Sequence, residues 1–281
     1  MTIAPEMTKT IEAVRSEAAG LGDFLRGMDA DDWNRDSACA EWKVGDVVAH
    51  LAQGGHGWIE FIARALEGDI DPPPGQQTLR AGDRGSEATA QRAVQQRQSQ
   101  GEQELLDSFN SGYQQLYELL QQLKPEDWEL PCFHRRGLSS IQEMVARRVQ
   151  ELAIHGWDIR SAFDPSHQLS EPAVEVVVGL VRRWLTSTFT PNAHGHAPVR
   201  YRFNISAPTP VLEDIVVYQD RFEVGTPAGG SADVTFTGPG SDYLLLIYGR
   251  LRFTGEDDSG DLEIDGSIQQ AALFNTWFRG V

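Results

Sequence analysis

The sequence predicts an α+β protein, a four-helix bundle followed by a smaller α+β domain. Three observations predict it. At 281 residues the chain is longer than a single hydrophobic core usually holds. Up to Asp164-Pro165, apolar residues recur at helical spacing; beyond it, short runs rich in β-branched and aromatic residues appear. A content of 40% hydrophobic residues with seven tryptophans supplies material for sizeable cores and excludes wholesale disorder. The expected domains are residues 1–165 and 170–281.

Ile11, Val14, Ala18, Leu21 and Leu25 place a first amphipathic helix over residues 6–28. Residues 31–42 read as a loop carrying Trp33 and Trp42. A second helix, containing His50, follows over 44–66 and ends near Gly68. Segment 71–84, with Pro72-Pro73-Pro74, is a connection rich in helix breakers, and the Gln-rich stretch after it predicts a single third helix over 87–123. Pro125, Pro131 and Gly137 mark a turn, and Ser140-Ile141-Gln142-Glu143 fits a capping box that opens a fourth helix running to Phe163. Four helices joined by one long and two moderate connections predict a bundle in which side chains from facing helices meet in the interior.

Past residue 170 the pattern predicts a helix over 171–185 and strands over 199–205, 215–218, 221–224 and 234–237. A helix over 241–251, a short strand over 262–264 and a closing helix over 267–278 complete the domain. No internal repeat is detectable.

The formal net charge of −17 repels polyanions, and the nearest basic groupings, Arg135-Arg136 and Arg147-Arg148, are too small to offset it. Neither nucleic acid nor a membrane is an expected partner. Cys39 and Cys132 are too few for a disulfide framework and form no Cys-x-x-Cys pair, which fits a reducing compartment. Residues 1–17 lack the basic start and apolar run of a signal peptide, so the cytoplasm is the expected location.

Glu151 and His155 stand four residues apart, on one face of the fourth helix, where they can share one ion. Arg148 and Asp158 extend this polar stripe, which borders the buried face of Val145, Val149, Leu152 and Ile159. On the second helix, His50 projects within roughly 60° of Val47, Gly54 and Phe61 and so points inward. A His/Glu/His set from two facing helices offers nitrogen and oxygen ligands suited to zinc, with coordination positions left open as in catalytic sites. The spacing by itself is also that of an ordinary i,i+4 hydrogen-bonded pair, with His50 a core histidine bonded to a backbone carbonyl. His56 reads as structural, and His134, His167, His194 and His196 as loop residues.

Trp42-Lys43-Val44-Gly45-Asp46-Val47-Val48-Ala49-His50-Leu51-Ala52, preceded by Trp33, resembles the N-terminal signature of mycothiol-dependent maleylpyruvate isomerase-like proteins of the DinB-like helical superfamily. Glu151-Leu152-Ala153-Ile154-His155-Gly156-Trp157-Asp158-Ile159 is similar to that family's second signature. The resemblance implies zinc on His50, Glu151 and His155 and implies a DinB-like bundle. Val234-Thr235-Phe236-Thr237-Gly238 and Leu244-Leu245-Leu246-Ile247-Tyr248-Gly249-Arg250 look like the family's C-terminal domain of sterol-carrier-like α+β architecture. The connection 71–84 is longer than the family pattern leads one to expect.

Coordination to zinc favours the thiolate of a thiol, the nucleophilic form. Cys39, in the loop before the second helix, and Cys132, in the turn before the fourth, read as ordinary small residues, so the chain offers no suitable thiol of its own. The resemblance implies mycothiol as the external thiol and a small electrophile as substrate, with isomerisation or thiol transfer as the outcome. Arg250, near the end of a predicted helix, is the candidate catalytic residue, able to bind a carboxylate; an ordinary surface arginine is the alternative. Asp158 reads either as a residue orienting a metal-bound histidine or as a member of a surface ion pair. Two other functional classes remain open: a hydrolase in which the metal activates water, and a ligand- or partner-binding protein with a structural metal.

Overall fold

The structure is a computed structural model that describes residues 4–78, 86–192, 198–227, 229–253 and 260–280. It divides into two units, Met1–His167 and Gln168–Val281.

In the first unit, α1 (Pro5–Arg26) buries Ile11, Val14, Ala18, Leu21 and Leu25 on one face. A 3-10 turn over Asp32–Asn34 leads through the loop to α2 (Val44–Leu66), whose bounds match the apolar spacing. The Asp46 carboxylate accepts the Lys43 N–H at 2.9 Å and so satisfies a donor at the entry to α2. The predicted third helix is two: α3 (Ser86–Ser99) and α4 (Glu102–Gln122). Gly101 takes an extended backbone (φ −76°, ψ 165°) and caps α4, interrupting a stretch whose composition is helical throughout. Segment 71–84 is described only as far as residue 78; the rest of that connection lies outside the described residues.

A 3-10 turn over Pro125–Glu129 precedes a small antiparallel hairpin of β1 (Pro131–Cys132) and β2 (Ser139–Ser140), which delivers the chain into α5 (Ile141–Arg160). The Ser140 hydroxyl accepts the Glu143 N–H at 3.2 Å, the expected cap, while the Glu143 carboxylate accepts from the Ser139 hydroxyl and from Arg147. Helix α1 packs on α4 and α5, and α2 packs on α3, α4 and α5. Val47, Leu51, Phe109, Leu120, Met144 and Val149 are fully buried between them. Each such side chain contributes about 1.5–3 kcal/mol of burial.

The second unit begins with α6 (Glu171–Val177) and α7 (Val181–Thr188), joined by one 3-10 turn, and continues into a five-stranded sheet. The strands are β3 (Val199–Ile205), β4 (Val211–Val217), β5 (Phe222–Gly225), β6 (Val234–Gly238) and β7 (Glu263–Gly266), in the order β5-β4-β3-β6-β7. Among the described residues only the β3–β6 pair is parallel. Strand β3 alternates as a half-buried strand must: Val199, Tyr201, Phe203 and Ile205 face inward. Phe203 stacks on Phe236 at 5.1 Å and meets Phe274 of α9 (Ile268–Trp277) edge-on at 5.5 Å. Helix α8 (Gly240–Ile247) is buried along its whole length.

Helix α8 stops four residues before the predicted end. Gly249 adopts φ 76°, its N–H bonds Leu246 O at 3.0 Å, and the Arg250 N–H bonds Leu245 O at 2.8 Å, a left-handed stop that a glycine accommodates without strain. Among the described residues no helix is long and apolar enough to cross a membrane.

Candidate metal centre

Helices α2 and α5 bring three of the predicted residues together. His50, Glu151 and His155 each offer a ligand atom, and these atoms lie within 4.8 Å of one another. His50 Nε2 is 2.9 Å from Glu151 Oε2, and His155 Nε2 is 3.7 Å from the same oxygen. The four-residue spacing on α5 stacks Glu151 and His155 one turn apart, and the inward face of α2 supplies His50 across the helix interface. Two imidazoles and one carboxylate are a donor set suited to zinc or another divalent cation.

Asp158 lies behind this set. It is 0% exposed, and its Oδ2 accepts the His155 Nδ1–H at 2.9 Å, which leaves Nε2 directed at Glu151. Complete burial excludes the alternative reading of Asp158 as a member of a surface ion pair. Arg148, expected on the border of the buried face, is 1% exposed and lies 3.7 Å from Glu151. Its guanidinium sits over the rings of Trp58 (5.3 Å) and Tyr113 (5.7 Å). It passes where a side chain at position 54 would be: a Cβ on Gly54 would overlap Arg148 Nη1. Among the described residues neither Nε nor Nη2 of Arg148 has a hydrogen-bond partner.

These placements set the charges. Burial lowers His50 below the usual imidazole range despite the hydrogen bond to Glu151, so this ring is neutral at pH 7. Burial alone would raise Glu151, but the hydrogen bond from His50 and the charges of His50, His155 and Arg148 outweigh it and hold the carboxyl well below its ordinary value. Burial alone would also lower His155. Hydrogen bonds with Asp158 and Cys39, together with the charges of Asp158 and Glu151, overcome it and raise the imidazole to about 9.

The loop before α2 contributes two residues whose position the sequence did not reveal. Trp42 stacks on the His155 ring (6.2 Å, 27°) and tilts over His50 (5.3 Å, 55°). The same tryptophan lines a cavity of about 330 Å³ with Glu41, Ala90, Gln91, Val94 and Gln95. Cys39, read from sequence as an ordinary small residue, is half-buried beside His155. Its Sγ, a His155 nitrogen and an Asp158 oxygen form a second group within 4.8 Å of one another. No periodicity or spacing signals this, because a loop residue eleven positions before His50 reaches α5 only through the tertiary fold.

Cys132 fits the structural reading. It is 0% exposed, lies 3.4 Å from Phe61 O, and burial pushes its thiol up to about 11. His56 contacts Ser108 at 3.4 Å and His134 contacts Arg147 at 3.5 Å, both as ordinary polar pairs. His167 accepts the Trp157 indole N–H on its backbone carbonyl at 2.8 Å. His194 and His196 lie outside the described residues. Arg250 belongs to the second unit, past the end of α8, where its Nη1 donates to Tyr248 O at 2.9 Å.

Residues 14–160 match the family model described as mycothiol maleylpyruvate isomerase N-terminal domain. The chain belongs to this family. Residues 192–279 match a second model, the SCP-2 sterol transfer family. The crystal structure of the mycothiol-dependent maleylpyruvate isomerase is similar to this family member, with a TM-score of 0.64 at 14% identity, over 94% of this chain and 96% of that one. A histidine-to-alanine mutant of the mycothiol-dependent maleylpyruvate isomerase gives a TM-score of 0.65 at the same 14% identity and the same coverage. At that identity the likeness establishes the α+β fold. No curated protein matches the sequence significantly.

Proposed function

We propose that this protein is a metal-dependent enzyme that uses a low-molecular-weight thiol, mycothiol, against a small electrophilic substrate, as an isomerase or a thiol S-transferase. The observation that carries the reading is the convergence of His50, Glu151 and His155 from two helices, with donor atoms within 4.8 Å, in a member of the mycothiol maleylpyruvate isomerase family. These three residues would hold zinc or another divalent ion. When bound, such an ion supplies the stabilisation that converts a thiol at an open position into the nucleophilic thiolate.

The chain's own residues prepare that chemistry. Asp158 fixes the His155 ring with Nδ1 as donor, so that Nε2 is the coordinating nitrogen. Arg148 helps keep Glu151 ionised, and the ring of Trp42 covers the two imidazoles and limits water at their exposed edge. In an isomerase, the thiol sulfur adds to a conjugated double bond, the resulting single bond rotates, and the sulfur leaves again. In a transferase the new carbon–sulfur bond is kept. Arg250 is proposed as a carboxylate-binding residue of the second unit, so Arg250→Ala should raise KM for an anionic ligand more than it lowers kcat.

Elemental analysis of the purified protein should find close to one equivalent of zinc, and His50→Ala and His155→Ala should each lose it. Metal content unchanged in both variants would sink the assignment. Turnover of an electrophile that proceeds equally well without any thiol would replace the thiol reading by hydrolysis, and mass spectrometry of the product separates isomer from thioether.

A further inference from the structure

We infer that the cavity between Trp42 and α3 holds the uncharged, hydroxyl-rich body of the thiol, and so selects a sugar-bearing thiol over an anionic one. The inference rests on the proposed thiol chemistry and names the surface that would recognise the thiol beyond its sulfur.

The cavity adjoins the centre through one side chain. The Trp42 ring lies 5.3 Å from the His50 ring and 6.2 Å from the His155 ring, and it also lines the cavity. A sulfur at the proposed ion and a body in the cavity are therefore separated by little more than the indole. In mycothiol an amide-linked cysteine joins the sulfur to the sugar through five bonds, about 6 Å when extended. That arm is long enough to pass the edge of the ring.

The lining decides what the body can be. Ala90, Gln91, Val94 and Gln95 come from α3, where spacings of three and four residues put them on one face, and Glu41 and Trp42 come from the loop before α2. Gln91 and Gln95 are exposed, and each amide offers two donor hydrogens and an accepting oxygen. An indole and two aliphatic side chains with hydrogen-bonding groups around them suit a ring that has CH faces and hydroxyls at its rim. The cavity, about 330 Å³, is at the small end of ligand pockets, with room for a group of sugar size.

Charge narrows the choice further. Glu41 is the only charged residue among these six. The arginines of α3 turn to other partners: Arg92 Nη2 donates to Thr89 Oγ1 at 3.3 Å, and Arg97 Nη2 to Glu102 Oε1 at 3.1 Å. A carboxylate in the cavity would face Glu41 in a chain of net charge −17.

The loop is built to present this wall. A bridge between Asp36 and Lys43 closes it, the Trp42 N–H donates to Cys39 O at 3.1 Å, and the Ala38 N–H donates to Asp158 O at 3.0 Å, fastening it to α5. Glu41 holds a left-handed φ of 67°, a conformation that non-glycine residues seldom take and that recurs at ligand clamps.

Equilibrium titration of the zinc-loaded protein with three thiols tests the subsite. Mycothiol is compared with N-acetylcysteine methylamide, which keeps the sulfur and both amides but lacks the sugar, and with glutathione, which carries two carboxylates. The unmodified protein should bind mycothiol at least about tenfold more tightly than the methylamide, and glutathione less tightly than mycothiol. Gln91→Ala/Gln95→Ala should remove about tenfold of the preference for mycothiol, as expected for two lost hydrogen bonds, and leave affinity for the methylamide unchanged. Alanine is the strongest helix former, so α3 keeps its form. Mycothiol bound no more tightly than the methylamide or glutathione, or a preference untouched by the double substitution, overturns the subsite and leaves the proposed function standing. A higher KM for the electrophile with mycothiol affinity intact also overturns it and gives the cavity to the electrophile. Failure of the unmodified protein to bind any of the three thiols overturns both.

Discussion

Replacing Asp158 by asparagine should change how metal binding depends on pH. Three ligands must be free of protons before an ion can bind. His50 is lowered, chiefly by burial, and Glu151 is held low by His50, His155 and Arg148 against the effect of burial, so at pH 7 both already have their ligand form. His155 does not. Burial would lower it, but hydrogen bonds with Asp158 and Cys39 and the nearby carboxylates raise it to about 9. Metal must therefore displace one proton, at a cost of about 3 kcal/mol at pH 7, from two pH units at about 1.4 kcal/mol each. The apparent zinc affinity of the unmodified protein should rise about tenfold per pH unit from pH 7 to 9 and then level off. In Asp158→Asn the main raising group is gone and burial pulls the imidazole down, so the slope over that range should flatten. Above pH 9 the unmodified protein should bind more tightly, because the carboxylate behind His155 strengthens it as a donor. Competition against a chromophoric chelator at each pH measures both curves. The same slope in both proteins, or no slope in the unmodified one, refutes the account of His155.

Gly54→Ala should destabilise the first unit by about 1–3 kcal/mol, because the added methyl overlaps the guanidinium of Arg148, which is held between Trp58 and Tyr113. An unchanged Tm would mean that the guanidinium has room to move. In the second unit Asp242 is 1% exposed, its Oδ2 has no hydrogen-bond partner among the described residues, and burial raises its carboxyl. A carboxyl raised on folding supports stability below its unfolded value and loses that support as pH rises through the folded one, so the Tm advantage of Asp242→Asn should grow as pH rises above the ordinary carboxyl range. A gap that does not widen counts against it. We also propose residues 1–165 and 170–281 as separately folding domains: limited proteolysis should cut between 164 and 170, and two unfolded fragments would contradict it.

The local part of this protein was written in residue spacing. Helix α2 begins and ends where its apolar positions and Gly68 put it, and β3 follows its alternation residue for residue, because both periods are properties of neighbouring residues. The i,i+4 spacing of Glu151 and His155 likewise needs nothing beyond one helix. Where the sequence misled, a single glycine decided: Gly101 splits the third helix and Gly249 ends α8 early, since helical composition on both sides conceals a backbone change at one residue. The partners around the centre were settled by tertiary structure alone. Asp158 is covered and Cys39 lies beside His155 because the loop before α2 fastens to α5, a contact between residues about 120 positions apart. Arg148 is drawn inside by the gap at Gly54 and by two aromatic rings from other helices. Spacing along one chain records which side chains share a face; which groups meet across the interior, and hence which protons they hold, is set by packing.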